Sequence, residues 1–136
     1  MKHIFSVENR KIIVFAEIKG INDTMESKFI LDTGSSITVI DEGAVRRLGF
    51  DLKKLQTGDK LMSASGGMKS KILELPKFSL FGKDMINFEV SVLDLPSQIT
   101  YFVDGLIGMD FLFQFKNVKF NFDEKTIETE ELSIDN

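Results

Sequence analysis

The stretch Phe29 to Ile40, FILDTGSSITVI, sets a single carboxylate, Asp32, between two apolar runs. A charge beside that much hydrocarbon is costly unless something pairs with it or holds it. Gly34 reads as a turn residue, but a turn alone leaves the Asp unexplained. One explanation is an Asx-turn, with the side chain bonded to nearby backbone. The other is acid–base chemistry, and composition narrows which kind. There is no cysteine, so thiolate catalysis, disulfides and Cys-based zinc sites are excluded. The only histidine, His3, sits by an N-terminus expected to be mobile. Neither a Ser–His triad nor a histidine metal site is therefore expected, and no metal or cofactor is assigned. Proton transfer is left to Asp, Glu, Lys or the single Tyr101.

The elements that must position Asp32 read as many short strands with turn signals between them. Lys11–Lys19, KIIVFAEIK, is strand-like, and Gly20-Ile21-Asn22-Asp23 is a turn cluster. Met25 to Leu31 returns with Met25, Ser27, Phe29 and Leu31 on one face, a hairpin that delivers Asp32 at its far end. Thr38 to Ile40 is a short third strand. Asp41 reads as the N-cap of a helix, EGAVRRLG, with Gly49 as its stop. Lys60–Ser63 and Lys71–Leu75 flank Gly66-Gly67 as a long hairpin with a mobile tip, SASGGMKS. Lys77–Phe81 and Ile86–Leu93 follow as strands, and Asp94-Leu95-Pro96-Ser97 breaks the pattern. Leu106-Ile107-Gly108 is a brief buried strand, and Met109–Phe115 is a two-turn helix. Val118–Phe122 and Lys125–Glu128 form a closing hairpin. Most of the 13 phenylalanines are expected in the core.

A chain of 136 residues without repeat or linker is expected to be one domain, residues 1–136, with its core at about 11–128. The formal charge of −4 comes wholly from the last nine residues, ETEELSIDN. Residues 129–136 are read as an acidic, solvated tail. A neutral body with no basic face argues against nucleic acid as partner. No apolar run reaches the roughly 18 residues of a membrane span. The polar N-terminal stretch lacks a signal-peptide core, so a cytoplasmic location is expected.

Asp32-Thr33-Gly34-Ser35, after an apolar triplet and before an apolar run, resembles the active-site loop of the aspartic proteases. Leu106-Ile107-Gly108, followed by Met109-Asp110-Phe111-Leu112, is similar to the Gly-ended strand and short helix of the retroviral-type half of that fold. The order of hairpin, DTG loop, glycine-tipped hairpin, Gly-ended strand, helix and terminal strand is that of the retropepsin family. The resemblance implies an all-β, retropepsin-like closed barrel with one or two short helices.

It also implies chemistry. Hydrolysis without metal or covalent nucleophile needs a base to activate water and an acid to protonate the leaving nitrogen. Two adjacent carboxyls supply both, because they do not ionise together; this is the established logic of aspartic proteases. One DTG per chain implies a homodimer in which Asp32 meets Asp32 of its partner. Thr33 would bond to the partner loop, Gly34 would admit close backbone, and Ser35 would donate to Asp32. Ser63, Ala64, Ser65, Gly66 and Gly67 would form a flap over a bound peptide, unless that hairpin is only a surface loop. Leu31, Ile37 and Val39 are expected in the substrate pocket, and Asp110 beneath the loop as a brace. Asp104-Gly105 reads as a turn before the buried strand. The partners implied are a peptide or protein substrate and a second copy of the chain. A retropepsin-like domain that binds peptide or dimerises without catalysis is the alternative.

Overall fold

The computed structural model describes residues 1–58 and 70–132. β1 (Lys2–Ile4) and β2 (Ser6–Glu8) are short and lead into the hairpin of β3 (Lys11–Lys19) and β4 (Thr24–Leu31). Along β3, Val14, Ala16 and Ile18 are buried while Phe15, Glu17 and Lys19 are exposed, the period of two of a half-buried strand. On β4, Ser27, Phe29 and Leu31 take the same inner face, as the alternation predicts. β5 (Val39–Asp41) ends where Asp41 caps α1 (Glu42–Arg47), its carboxylate accepting from the Gly43 N–H. Gly49, at φ +93°, ends that turn as expected.

A 3-10 turn at Leu52–Lys54 precedes β6 (Gln56–Thr57), which pairs with the start of β7 (Lys71–Leu80). β7 and β8 (Lys83–Leu93) form the longest hairpin. Its two turn residues, Phe81 and Gly82, both take positive φ, the backbone of a tight hairpin turn. The break expected between residues 75 and 77 is absent. The ladder pairs Leu75 with Phe88 and Lys77 with Ile86 and passes over Pro76, so the missing proline N–H is not called on.

α2 (Ser97–Thr100) follows Pro96, then β9 (Gly105–Ile107), α3 (Met109–Leu112), β10 (Phe115–Asn121) and β11 (Thr126–Glu131). Among the described residues there are thus three short helices and a 3-10 turn, where one or two helices were expected. α2 was missed because Pro96 was read only as a breaker. Its φ of −57° instead suits the entry to a helix. α3 is a single turn, since Phe115 already belongs to β10. β11 runs on to Glu131, so Thr129 to Glu131 lie in a strand and not in a tail; Ile127 and Thr129 alternate inward from it.

Six strands close a barrel in the order β3-β4-β9-β5-β8-β7, with β3 paired back onto β7. β9 lies parallel to β4 and antiparallel to β5, and β5 lies parallel to β8. The closed, all-β barrel that was expected is therefore present. A separate sheet, β1-β11-β10, gathers both ends of the chain. β1 pairs with β11 in the register His3 to Ile127, so the N-terminus is strand and not the loose end expected.

The main core is aromatic at its centre. Phe111 is fully buried and meets Phe78, Phe88, Phe81 and Phe115 at centroid distances of 5.5, 6.2, 6.3 and 5.6 Å. Seven of the phenylalanines are buried, but Phe15, Phe113 and Phe122 are exposed, so the expectation of a core role fails for these three. No helix among the described residues is long and apolar enough to cross a membrane.

Candidate active site

Asp32 stands one residue past β4. Its N–H donates to the Ile107 carbonyl at 2.9 Å, which continues the β4–β9 pairing by one rung. Its carbonyl accepts from the Ser35 N–H at 3.1 Å and its Oδ1 from the Gly34 N–H at 2.9 Å. The Asx-turn and the functional reading therefore share one geometry: the turn holds one carboxylate oxygen and leaves Oδ2 without a protein partner among the described residues. The chain is tight here. A Cβ on Gly34 would lie 3.2 Å from Asp32 Oδ1.

Ser35 does not support Asp32 through its hydroxyl. Its Oγ donates to the Ile37 carbonyl at 2.7 Å, because the turn points the side chain down the loop. Thr33 is exposed, on the rim of a groove of about 260 Å³ that it shares with Met109, Phe113, Val118 and Phe120.

Beneath the loop lies a polar brace. Asp110 accepts from Thr38 N–H at 3.0 Å, from Thr38 Oγ1 at 2.8 Å and from its neighbour Phe111 N–H at 2.8 Å. The Thr38 hydroxyl in turn accepts from the buried Gly108 N–H at 3.1 Å. Met109 and Asp110 N–H groups bond to the Ser35 and Ser36 carbonyls. Asp110 thus braces the loop as expected. β9 fits against residues 37–40 because its glycines have no side chain. A Cβ on Gly108 would lie 2.4 Å from the Ile37 carbonyl, and one on Gly105 would lie 2.1 Å from the Val39 oxygen. Ile107 is fully buried and Leu106 half-buried.

Asp104 is occupied elsewhere, accepting from the Lys28 N–H and from Arg47 at 2.7 Å, so it is a structural acid before β9. No hydrogen bond or ion pair among the described residues joins Asp32 to a second carboxylate. No cluster of three metal-ligating side chains exists among them either.

A groove of about 370 Å³ opens beside Asp32. Ile12, Ile30, Leu31, Ile99 and Leu106 line it, and Arg10 and Lys11 stand with them. Of the expected pocket residues only Leu31 is there. Val39 is packed into the barrel, and Ile37, half-buried, is outside the groove lining. Arg10 and Lys11 were missed. They stand at the Asn9-Arg10 turn between β2 and β3, which lacks the glycine that would mark it in the sequence. The flap residues Ser63, Ala64, Ser65, Gly66 and Gly67 lie outside the described residues. The residues on either side of 59–69 are described: Gln56 and Thr57 pair with Ile72 and Lys71, and the Gly58 N–H bonds to the Ser70 carbonyl at 2.7 Å.

The family model for aspartyl proteases matches residues 16–111, a span that includes the Asp32 turn and the Leu106 to Phe111 segment beneath it. The chain belongs to the aspartyl protease family. No curated protein matches it by sequence. Among solved structures, a retropepsin-like aspartic protease from Rickettsia conorii superposes with a TM-score of 0.71 at 24% identity, covering 95% of this chain and 89% of that one. The EIAV protease complexed with the inhibitor HBY-793 superposes with a TM-score of 0.60 at 16% identity, covering 76% and 86%. At those identities the likeness is one of fold: the chain has the retropepsin-like barrel.

Proposed function

We propose that the chain is an aspartic endopeptidase whose active form is a homodimer, with Asp32 of each copy facing the other across a two-fold axis. The observation that carries this reading is the state of the Asp32 carboxylate. One oxygen is fixed by the Gly34 amide, the other has no partner among the described residues, and Asp32 lines a largely apolar groove of about 370 Å³. Family membership and fold support it.

In the dimer, two carboxyls share one proton because two adjacent charges are costly. The ionised Asp32 takes a proton from water as the water oxygen attacks the peptide carbonyl carbon. The protonated Asp32 gives its proton to the carbonyl oxygen, and a gem-diol forms. The first Asp32 then protonates the amide nitrogen, the C–N bond breaks, and a diol hydroxyl returns its proton to the second. The pair ends with the one proton it began with. Thr33 beside the axis, Gly34 beneath the carboxylate and the 63–67 hairpin over the substrate complete the proposed machinery, with Leu106-Ile107-Gly108 as its floor. The substrate is an extended peptide with apolar residues at the cut.

The test is mass-spectrometric cleavage of a diverse peptide library by the wild type and by Asp32→Asn, from acid to neutral pH. Cuts made by the wild type and abolished by the substitution are the expected result. A folded sample at dimer-favouring concentration that cuts nothing would overturn the protease reading and leave a peptide-binding domain.

A further inference from the structure

The groove beside Asp32 carries positive charge as well as apolar surface. Arg10 and Lys11 both line it, and among the described residues Asp32 is the only carboxylate that does. Neither cation has an anionic partner among the described residues. The acid of their own hairpin, Glu8, is engaged by Lys28 at 2.6 Å.

The backbone under Arg10 is unusual. β2 and β3 are joined by Asn9 and Arg10, at φ 51° and 62°, and Glu8 and Lys11 pair on either side. Such a two-residue turn favours Asn then Gly, since both positions are left-handed. Asn9 fits this pattern. An arginine in the second place crowds its Cβ against the backbone, a strain glycine would not bear. A long cation kept in a strained position at the mouth of a cleft points to a use there.

We propose that Arg10, with Lys11 beside it, selects peptides that carry a carboxylate two residues from the apolar side chain seated in the groove. In an extended peptide, side chains two apart share one face and stand about 7 Å from each other. An apolar residue among Ile12, Leu31 and Ile99 therefore presents its second neighbour on the face that the two cations rim. This rests on the reading of the groove as a peptide cleft. It makes Arg10 a specificity residue, with no part in proton transfer.

The experiment uses peptides alike except for Glu, Gln or Lys at that second position, assayed near neutral pH where Glu is ionised. kcat/KM is measured for the wild type, Arg10→Gly and Arg10→Glu. Arg10→Gly suits the turn, so folding is retained. A partly exposed ion pair is worth up to about fivefold. With repulsion added, the wild type should prefer Glu over Lys by about tenfold. Arg10→Gly should reduce that ratio severalfold, and Arg10→Glu should invert it. Added salt should weaken the preference in the wild type. The same peptides are titrated against Asp32→Asn, which reads binding without turnover. Equal cleavage of all three peptides overturns this inference and leaves the protease reading standing. If nothing is cut, the protease reading fails. The Glu-to-Lys ratio of binding to Asp32→Asn then decides: a preference sustains the charge-selective cleft, while equal affinity or no binding overturns it.

Discussion

Thr38 Oγ1 donates to Asp110 Oδ1 at 2.8 Å, a bond between residues 72 apart in sequence that ties the loop after Asp32 to the first turn of α3. The same hydroxyl accepts from the Gly108 N–H, so one side chain satisfies a carboxylate and a buried amide together. Thr38 is itself fully buried. Thr38→Val keeps the shape and removes both bonds. It leaves a buried N–H without an acceptor, which costs about 1–3 kcal/mol. The expected loss is about 2–3 kcal/mol in urea unfolding, with peptide cleavage falling further than folding alone explains. Thr38→Ser keeps the hydroxyl and should recover most of both. Equal losses in the two variants would show that the hydroxyl is not what matters.

Two kinds of glycine surround the site, and they should fail differently. At Gly105 and Gly108 an added Cβ meets backbone, at 2.1 and 2.4 Å. Backbone pinned by the β5–β9 pairing at Val39, and by the braced loop at Ile37, does not yield, so alanine at either should cost more than about 4 kcal/mol and abolish soluble folded protein. At Gly34 the Cβ meets the Asp32 carboxylate oxygen at 3.2 Å. Gly34→Ala should fold with a loss below about 1 kcal/mol, because a side chain can turn aside. Displacing that carboxylate should nevertheless cut turnover by about a hundredfold, the scale of a small misplacement at a reacting centre. Circular dichroism beside a cleavage assay separates the two behaviours.

His3 gives the fold a pH-sensitive end. Burial lowers its pKa below the ordinary 6.5, and the Met1 ammonium lowers it further. Its Nε2 is buried without a partner among the described residues, and its ring lies 5.1 Å from Phe81. The unfolded chain takes up this proton near 6.5, and the folded chain only at lower pH. The stability contribution is therefore present above 6.5 and is lost as pH falls from there toward the folded value. His3→Phe keeps a ring against Phe81 and removes the titration. Its melting temperature should fall less than that of the wild type between pH 7 and 5, and an unchanged slope would refute the assignment.

What was legible in the sequence was local. The Asp41 cap, the Gly49 stop and the DTG turn are each set by residues two to eight positions apart, within reach of turn and cap chemistry. The brace by Asp110 was legible only through a family pattern, since its bonds to Thr38 cross most of the chain. Pairings between distant segments were not legible. β1 finds its partner in β11 at the other end of the chain, so a three-residue strand read alone looked like a loose terminus. The continuity of β7 across residue 76 depends on its register with β8, which residues 71–81 alone do not reveal. The Asn9-Arg10 turn lacks the glycine that marks such turns, which hid the two cations of the cleft. The resemblance pairs the Ser35 hydroxyl with Asp32, whereas the turn directs it to the Ile37 carbonyl.

α3 is held from both sides, by Thr38 on Asp110 and by the aromatic cluster on Phe111, and the two holds should be coupled. Phe111 is fully buried among four rings. Phe111→Ala should cost about 3–5 kcal/mol, the range for a large core side chain left as a cavity. By contrast Phe15, half exposed on β3, should lose less than about 1 kcal/mol on the same change. In the double variant with Thr38→Val, the cavity frees α3 to shift, so the bond to Asp110 is already weakened. The combined loss should then fall short of the sum by more than about 0.5 kcal/mol. Urea unfolding of the four proteins in this cycle measures that shortfall. Strict additivity would mean that the aromatic core and the polar brace support the Asp32 loop independently.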